Sequence, residues 1–195
     1  VDTGPDETYK ALQRHLRTLT PGAQGKRVID TFVVSHIDHD HIGGAAQLLN
    51  DASLDLVFGD IWFNAPAPAG TRLRGVAEGQ RLAELLGASS RVLPWNKAMN
   101  GQWLCSSADQ RCPRITPRRG IKVTVVSPSL KKLKALFAQW DKELAKMRAK
   151  TREAVEPMRL LRGMRSLEDL AASKTAIDKA LPNGSSIALL VEYKK

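Results

Sequence analysis

The residues best equipped for chemistry lie in Ser35-His-Ile-Asp-His-Asp-His-Ile-Gly-Gly44. His36, Asp38, Asp40 and His41 offer two imidazoles and two carboxylates within a few positions of one another. If strand geometry persists through the stretch, alternate side chains share a face, so His36, Asp38 and Asp40 project together. His41 then joins them through a turn that Gly43-Gly44 permits. Mixed nitrogen and oxygen donors of this kind suit Zn²⁺, Mn²⁺ or Fe²⁺. A divalent cation would also relieve the repulsion between the two carboxylates. The bland alternative is a polar loop rich in Asp and His, but four ligand-type residues just before a Gly-Gly helix start favour the metal set. His39 lies between ligand positions and is read as supporting or solvent-facing. His15, on a surface helix, is not read as a ligand.

The surrounding pattern supplies elements to position this set. Val28 to Val34 is a β-rich run leading into it, and Ala45 to Asn50 reads as the helix after it. Leu54 to Gly59 is a further strand, with Asp60-Ile-Trp-Phe-Asn64 beyond. Val76 to Leu86 is helical, with Gly87 as its stop. Ile121 to Val126 is a strand, and Ser127-Pro128 is expected to cap and start a long helix. Leu130, Leu133, Phe137, Trp140, Leu144 and Met147 give that helix one buried stripe. Ser166 to Asp169 reads as a weak capping box, and Ile187 to Tyr193 as a strand. Near the start, Asp2 and Gly4-Pro5 supply turn chemistry, and Asp6 is the expected N-cap of a helix over Tyr9 to Leu16. Strands alternating with helices predict an α/β layered fold. Asp60, Trp62, Asn64, Trp95 and Asn96 follow strand ends. They are read as packing and turn residues, with a pocket role as the second option.

The 195 residues carry 30 Lys/Arg against 20 Asp/Glu, a net charge of +10. That excess is local: residues 111–165 hold 16 basic and 4 acidic side chains, leaving the remainder at −2. Such a segment can displace counterions from a nucleic acid backbone. It can equally be a solvated face of an inserted helical elaboration. Lys131, Lys132 and Lys134 are the candidate phosphate contacts. No apolar run approaches the roughly 20 residues of a membrane helix. Two cysteines, Cys105 and Cys112, are too few for a disulfide scaffold and are expected to be free thiols in a cytoplasmic protein.

With these residues in view, the motif resembles the signature of the metallo-β-lactamase superfamily, His-x-His-x-Asp-His followed by Gly-Gly. The aspartate at its second position is similar to the ComEC-like branch, named after the hydrolase domain of bacterial DNA-uptake channels. Val1-Asp-Thr-Gly-Pro5 resembles that family's strand-turn before the motif. Asn183 to Tyr193 resembles the strand preceding its Gly-Asp ligand turn. The resemblance implies one domain over 1–195, part of an αββα sandwich, with 111–181 as a basic, partly helical elaboration. It implies His36 and Asp38 as first-site ligands and Asp40 and His41 as second-site ligands, with the counterpart of Asp40 also positioning the attacking water. Asp38 stands where the family has an imidazole, which shifts the first site towards Mn²⁺ or Mg²⁺ over Zn²⁺. All four histidines lie at or before position 41. The chain is therefore expected to carry half of a dinuclear Zn or Mn site, completed by the rest of a longer parent protein or by another chain.

The expected activity is metal-assisted hydrolysis, with a phosphodiester as the substrate that the basic segment favours. Similar domains occur as effector modules of larger proteins, including bacterial antiviral defence proteins. Two alternatives stand beside this one: a binding or assembly module with a vestigial metal site, and a small-molecule ester or lactone hydrolase.

Overall fold

Two short apolar runs, Phe32-Val-Val34 and Ile61-Trp-Phe63, organise the molecule. A computed structural model describes residues 1–66, 77–88, 92–107, 111–118, 120–151 and 181–193. In it the runs form β2 (Phe32–Val33) and β4 (Ile61–Trp62), a parallel pair with Phe32 opposite Ile61 and Val33 opposite Trp62. Phe32, Val34, Ile61 and Phe63 enter one buried cluster, with Leu16, Ile42, Leu48, Leu82, Leu133, Phe137 and Trp140. Val33 and Trp62 enter a second, with Leu104, Ile115, Val123, Val125 and Ile187. Strands buried on both faces read as unbroken apolar sequence rather than as alternation, which is the pattern of both runs.

The first cluster is helical. It is built by α1 (Tyr9–Arg17), α2 (His39–Ile42), α3 (Ala45–Asn50), α4 (Ala77–Leu86) and α5 (Leu130–Thr151). The second cluster is the inner face of an antiparallel sheet in the order β5 (Arg114–Arg118), β6 (Ile121–Ser127), β7 (Ala188–Tyr193). The fold is mixed α/β. Among the described residues no helix is long and apolar enough to cross a membrane.

Several elements differ from their sequence-based expectation. The run from Val28 to Val34 is two strands, because β1 (Arg27–Ile29) pairs with β3 (Leu56–Phe58) while β2 changes partner to β4. At that change the backbones close in: a Cβ on Gly59 would stand 2.6 Å from the carbonyl oxygen of Asp30. β5 falls in a span whose sequence reads as irregular, since Ile115 is its one buried residue and Pro117 interrupts the pattern. α5 starts at Leu130 rather than at Pro128, and Ser127 closes β6. Leu133, Phe137 and Trp140 form the buried stripe as expected, joined by Leu136. Leu144, Met147 and the Ser166–Asp169 helix lie outside the residues whose side chains are described. Asp6 does not cap α1: it opens a 3-10 turn over Asp6–Thr8, and Thr8 is the residue before the helix.

Candidate metal centre

β2 ends at Val33, and the last ladder bond runs from Val34 N to Trp62 O at 2.9 Å. Beyond it the strand does not continue through the motif. Asp38 is extended and precedes α2, and Asp40 sits in the first turn of that helix. The His36, Asp38 and Asp40 side chains are therefore arranged by a turn, not by strand alternation. The Gly43-Gly44 pair also acts differently from expectation. Both residues have φ values of ordinary helical backbone, −49° and −81°. Their use is close approach: a Cβ on Gly43 would stand 2.7 Å from Asp6 N, and one on Gly44 would stand 3.2 Å from Thr3 Cβ. The bare backbone lets the N-terminal segment lie along the motif, with Thr3 N on His41 O at 3.0 Å and Gly44 N on Gly4 O at 3.2 Å.

That docking places Asp2, a residue whose sequence context points only to turn chemistry. Asp2 has φ 55°, a left-handed conformation that Asp tolerates better than most residues, and its N–H donates to Val33 O at 2.7 Å. Its carboxylate accepts from Ser35 N at 2.7 Å, from Ser35 Oγ at 2.8 Å and from His41 Nδ1 at 2.9 Å. Ser35 Oγ also stands 2.9 Å from His36 Nδ1.

These contacts assign the ring protons. A carboxylate only accepts, so the single hydroxyl proton of Ser35 goes to Asp2, and Ser35 Oγ must accept from His36 Nδ1–H. His41 likewise donates Nδ1–H to Asp2. With Nδ1 as the donor, a neutral ring carries its lone pair on Nε2, the arrangement in which histidine binds a metal while its other nitrogen is held by a carboxylate or hydroxyl. The two rings lie 4.0 Å apart by centroid. His36 is buried, and its Nε2 has no hydrogen-bond partner. Burial first, and the neighbouring His41 second, hold the His36 pKa below its ordinary value, which keeps the ring neutral.

The four sequence-predicted ligands stand as two pairs. His36 Nε2 is 3.5 Å from Asp38 Oδ2, and His41 Nε2 is 3.6 Å from Asp40 Oδ2. Asp40 is the most exposed of them. Among the described residues, the three ligand-type side chains whose donor atoms all come within 4.8 Å are Asp6, Glu7 and His39, all exposed. Those atoms make an ion cluster of a different kind. His39 Nδ1 lies 2.7 Å from Glu78 Oε1, and its Nε2 lies 3.2 Å from Asp6 and 3.5 Å from Glu7. Both ring nitrogens face acceptors, so the ring donates on both sides as an imidazolium. Its pKa is raised accordingly, mainly by the Glu78 hydrogen bond.

Comparison with known proteins finds no matching family model, no matching curated protein and no matching solved structure.

Elsewhere, the residues read as packing and turn groups do that work. Asp60 accepts from Lys97 N and Ala98 N, both at 2.8 Å. The Asn64 amide pairs with the Leu104 backbone, and that of Asn96 with Phe63. Lys131, Lys132 and Lys134 lie in the first turns of α5, with Lys132 and Lys134 well exposed. Cys105 and Cys112 form no disulfide with each other.

Proposed function

We propose that this chain is a metal-dependent hydrolase acting on phosphodiester bonds, built on part of an αββα sandwich of metallo-β-lactamase type. The observation that carries the reading is the buried, unpartnered Nε2 of His36, with the His41 ring 4.0 Å away and the Nδ1 of both rings held through Asp2. A buried acceptor left without a donor costs about 1–3 kcal/mol, and a bound cation removes that cost. His36 and His41 would hold the cation through Nε2, with Asp38 and Asp40 as carboxylate partners. A divalent cation held there would supply Lewis acidity and make a neighbouring water more acidic. Asp2 and Ser35 orient the imidazoles. Asp40, exposed beside His41, is the group free to accept a proton from an attacking water. The basic segment and the α5 lysines favour an anionic diester as the substrate.

Metal content after gentle purification tests this, measured by plasma mass spectrometry on the wild type and on the Asp40→Ala, His41→Ala double variant. The wild type is expected to hold one or two Zn or Mn ions per chain and the double variant to lose them. A wild type that stays metal-free after incubation with Zn²⁺ or Mn²⁺ overturns the reading and leaves a binding or assembly module. The substrate class is tested by affinity for single-stranded DNA as salt rises. Lys131→Ala, Lys132→Ala and Lys134→Ala together should flatten the log–log slope by roughly 0.7 for each phosphate that is no longer neutralised. A slope that does not move removes the basic segment from the argument.

A further inference from the structure

The end of the β2–β4 pair that releases His36 also borders a cavity. Its volume is about 690 Å³, and Ala65, Trp95, Met99, Trp103, Cys105 and Leu130 are among its walls. That lies inside the range of small-molecule sites, roughly 300–1,000 Å³. After the last ladder bond, from Val34 N to Trp62 O, His36 follows two residues later on one strand and Ala65 three residues later on the other. Both leave the same C-terminal end of a parallel pair, which is where ligands of parallel sheets gather.

Two indoles are fixed in this wall by their polar edges. Trp95 Nε1 donates to Phe63 O and Trp103 Nε1 to Ala65 O, each at 2.9 Å. Trp103 also packs on Phe137, with ring centroids 5.0 Å apart. With their N–H groups satisfied, what both rings offer the cavity is apolar surface already fixed in place. Gln102 adds an amide with a donor and an acceptor to the same wall. Cationic residues follow two wall residues along the chain: Leu130 opens α5 ahead of exposed Lys131, Lys132 and Lys134, and Pro113 precedes exposed Arg114.

We propose that this cavity seats the base of a nucleotide, stacked against Trp95 and Trp103, with its phosphate towards the α5 lysines. The proposal rests on the phosphodiester reading above and names what the substrate carries beside its ester. An acyl chain would fill apolar volume but would use neither the flat walls nor the cations. Bases stack on aromatic side chains whatever their sequence, so the same pocket takes a free mononucleotide or an unpaired base of a strand.

Calorimetric titration of the EDTA-treated protein with adenosine 5′-monophosphate and with ribose 5-phosphate separates the two ideas, because no metal is needed. Adenosine monophosphate should bind at least roughly tenfold more tightly than the base-less control. That preference should vanish in Trp103→Ala and in Met99→Trp, which fills the cavity without removing a hydrogen bond. Equal affinity for the two ligands overturns the proposal, as does octanoate binding in place of the nucleotide. Tighter binding of a deoxyadenosine decamer than of an abasic one, beyond the mononucleotide's preference, assigns the base to a strand; equal preferences assign it to a free nucleotide. A protein that prefers the base but holds no metal keeps the pocket and loses the hydrolase. One that holds metal without preferring the base does the reverse.

Discussion

Asp2 and Asp51 each gather side chains from distant parts of the sequence, and their networks end differently. Asp51 accepts from Tyr9 Oη at 2.7 Å, Gln13 Nε2 at 2.6 Å, Ser53 Oγ at 2.6 Å and Ser53 N at 2.9 Å. Every donor stops there. The Ser53 hydroxyl first, then Tyr9 and Gln13, bring the Asp51 carboxyl down to about 2. The Tyr9 phenol is pushed well up by its burial and then by Asp51. This closed circuit pins α1 against the turn after α3. The Asp2 circuit stays open: it runs directly to His41 and through Ser35 to His36, where it ends on a buried nitrogen without a partner. A closed network of this kind has stability as its whole effect. An open one that ends on a buried lone pair works against stability unless something is bound.

The comparison breaks most visibly at His36. His36→Ala should weaken Zn²⁺ affinity by more than about 100-fold in a chelator competition, since losing a ligand exceeds the 10–100-fold effect of losing its outer partner. Asp2→Asn falls in that second class, at about 10–100-fold. Asparagine still accepts the left-handed backbone, but its amide nitrogen must replace either the oxygen that accepts from Ser35 N or the one that accepts from both Ser35 Oγ and His41 Nδ1, so a donor is left facing a donor. Undiminished affinity in Asp2→Asn would mean that the tautomers are not held for a metal. Asp51→Ala should do the opposite. It should cost about 2 kcal/mol in urea melts, because it removes hydrogen bonds to a charged group, with Zn²⁺ affinity unchanged. A drop in metal affinity there would erase the distinction between the two networks.

The candidate ligand set is legible because residue type and spacing survive without geometry: His36, Asp38, Asp40 and His41 stand out in the chain whatever backbone carries them. The means of positioning them is not legible. Strand periodicity does not reach the motif, and the Gly-Gly pair serves to admit Thr3 and Asp6 rather than to turn the chain. Asp2 escapes a sequence reading because it lies far from the motif along the chain and only backbone docking brings it there. β2 is visible within an apolar run, whereas β4 is too short to stand out and its Trp62 reads as a packing or turn residue beyond a strand end, and β5, with its single buried isoleucine, has no periodic signal to read. Trp95 and Trp103 belong to the same class of difficulty, since each is anchored to a backbone carbonyl beyond β4 that local sequence does not point to.

The smallest effect concerns acid, and it tests whether Asp51 works as a charge. Its folded pKa, about 2, lies below the roughly 3.9 of an unfolded aspartate. The stability it contributes is therefore fully present above pH ~4 and is lost as pH falls through the folded value near 2. Asp51 is only partly buried, so solvent screening reduces the contribution to about 1–2 kcal/mol. Urea melts of wild type and Asp51→Asn should differ by that amount at pH 7, and the gap should narrow between pH 4 and pH 2 as the wild-type carboxyl takes up its proton. A gap that stays constant down to pH 2 would mean that Asp51 holds Tyr9 and Gln13 by geometry alone. Its network would then be closed by shape rather than by charge, and the contrast with Asp2 would rest only on where the hydrogen bonds end.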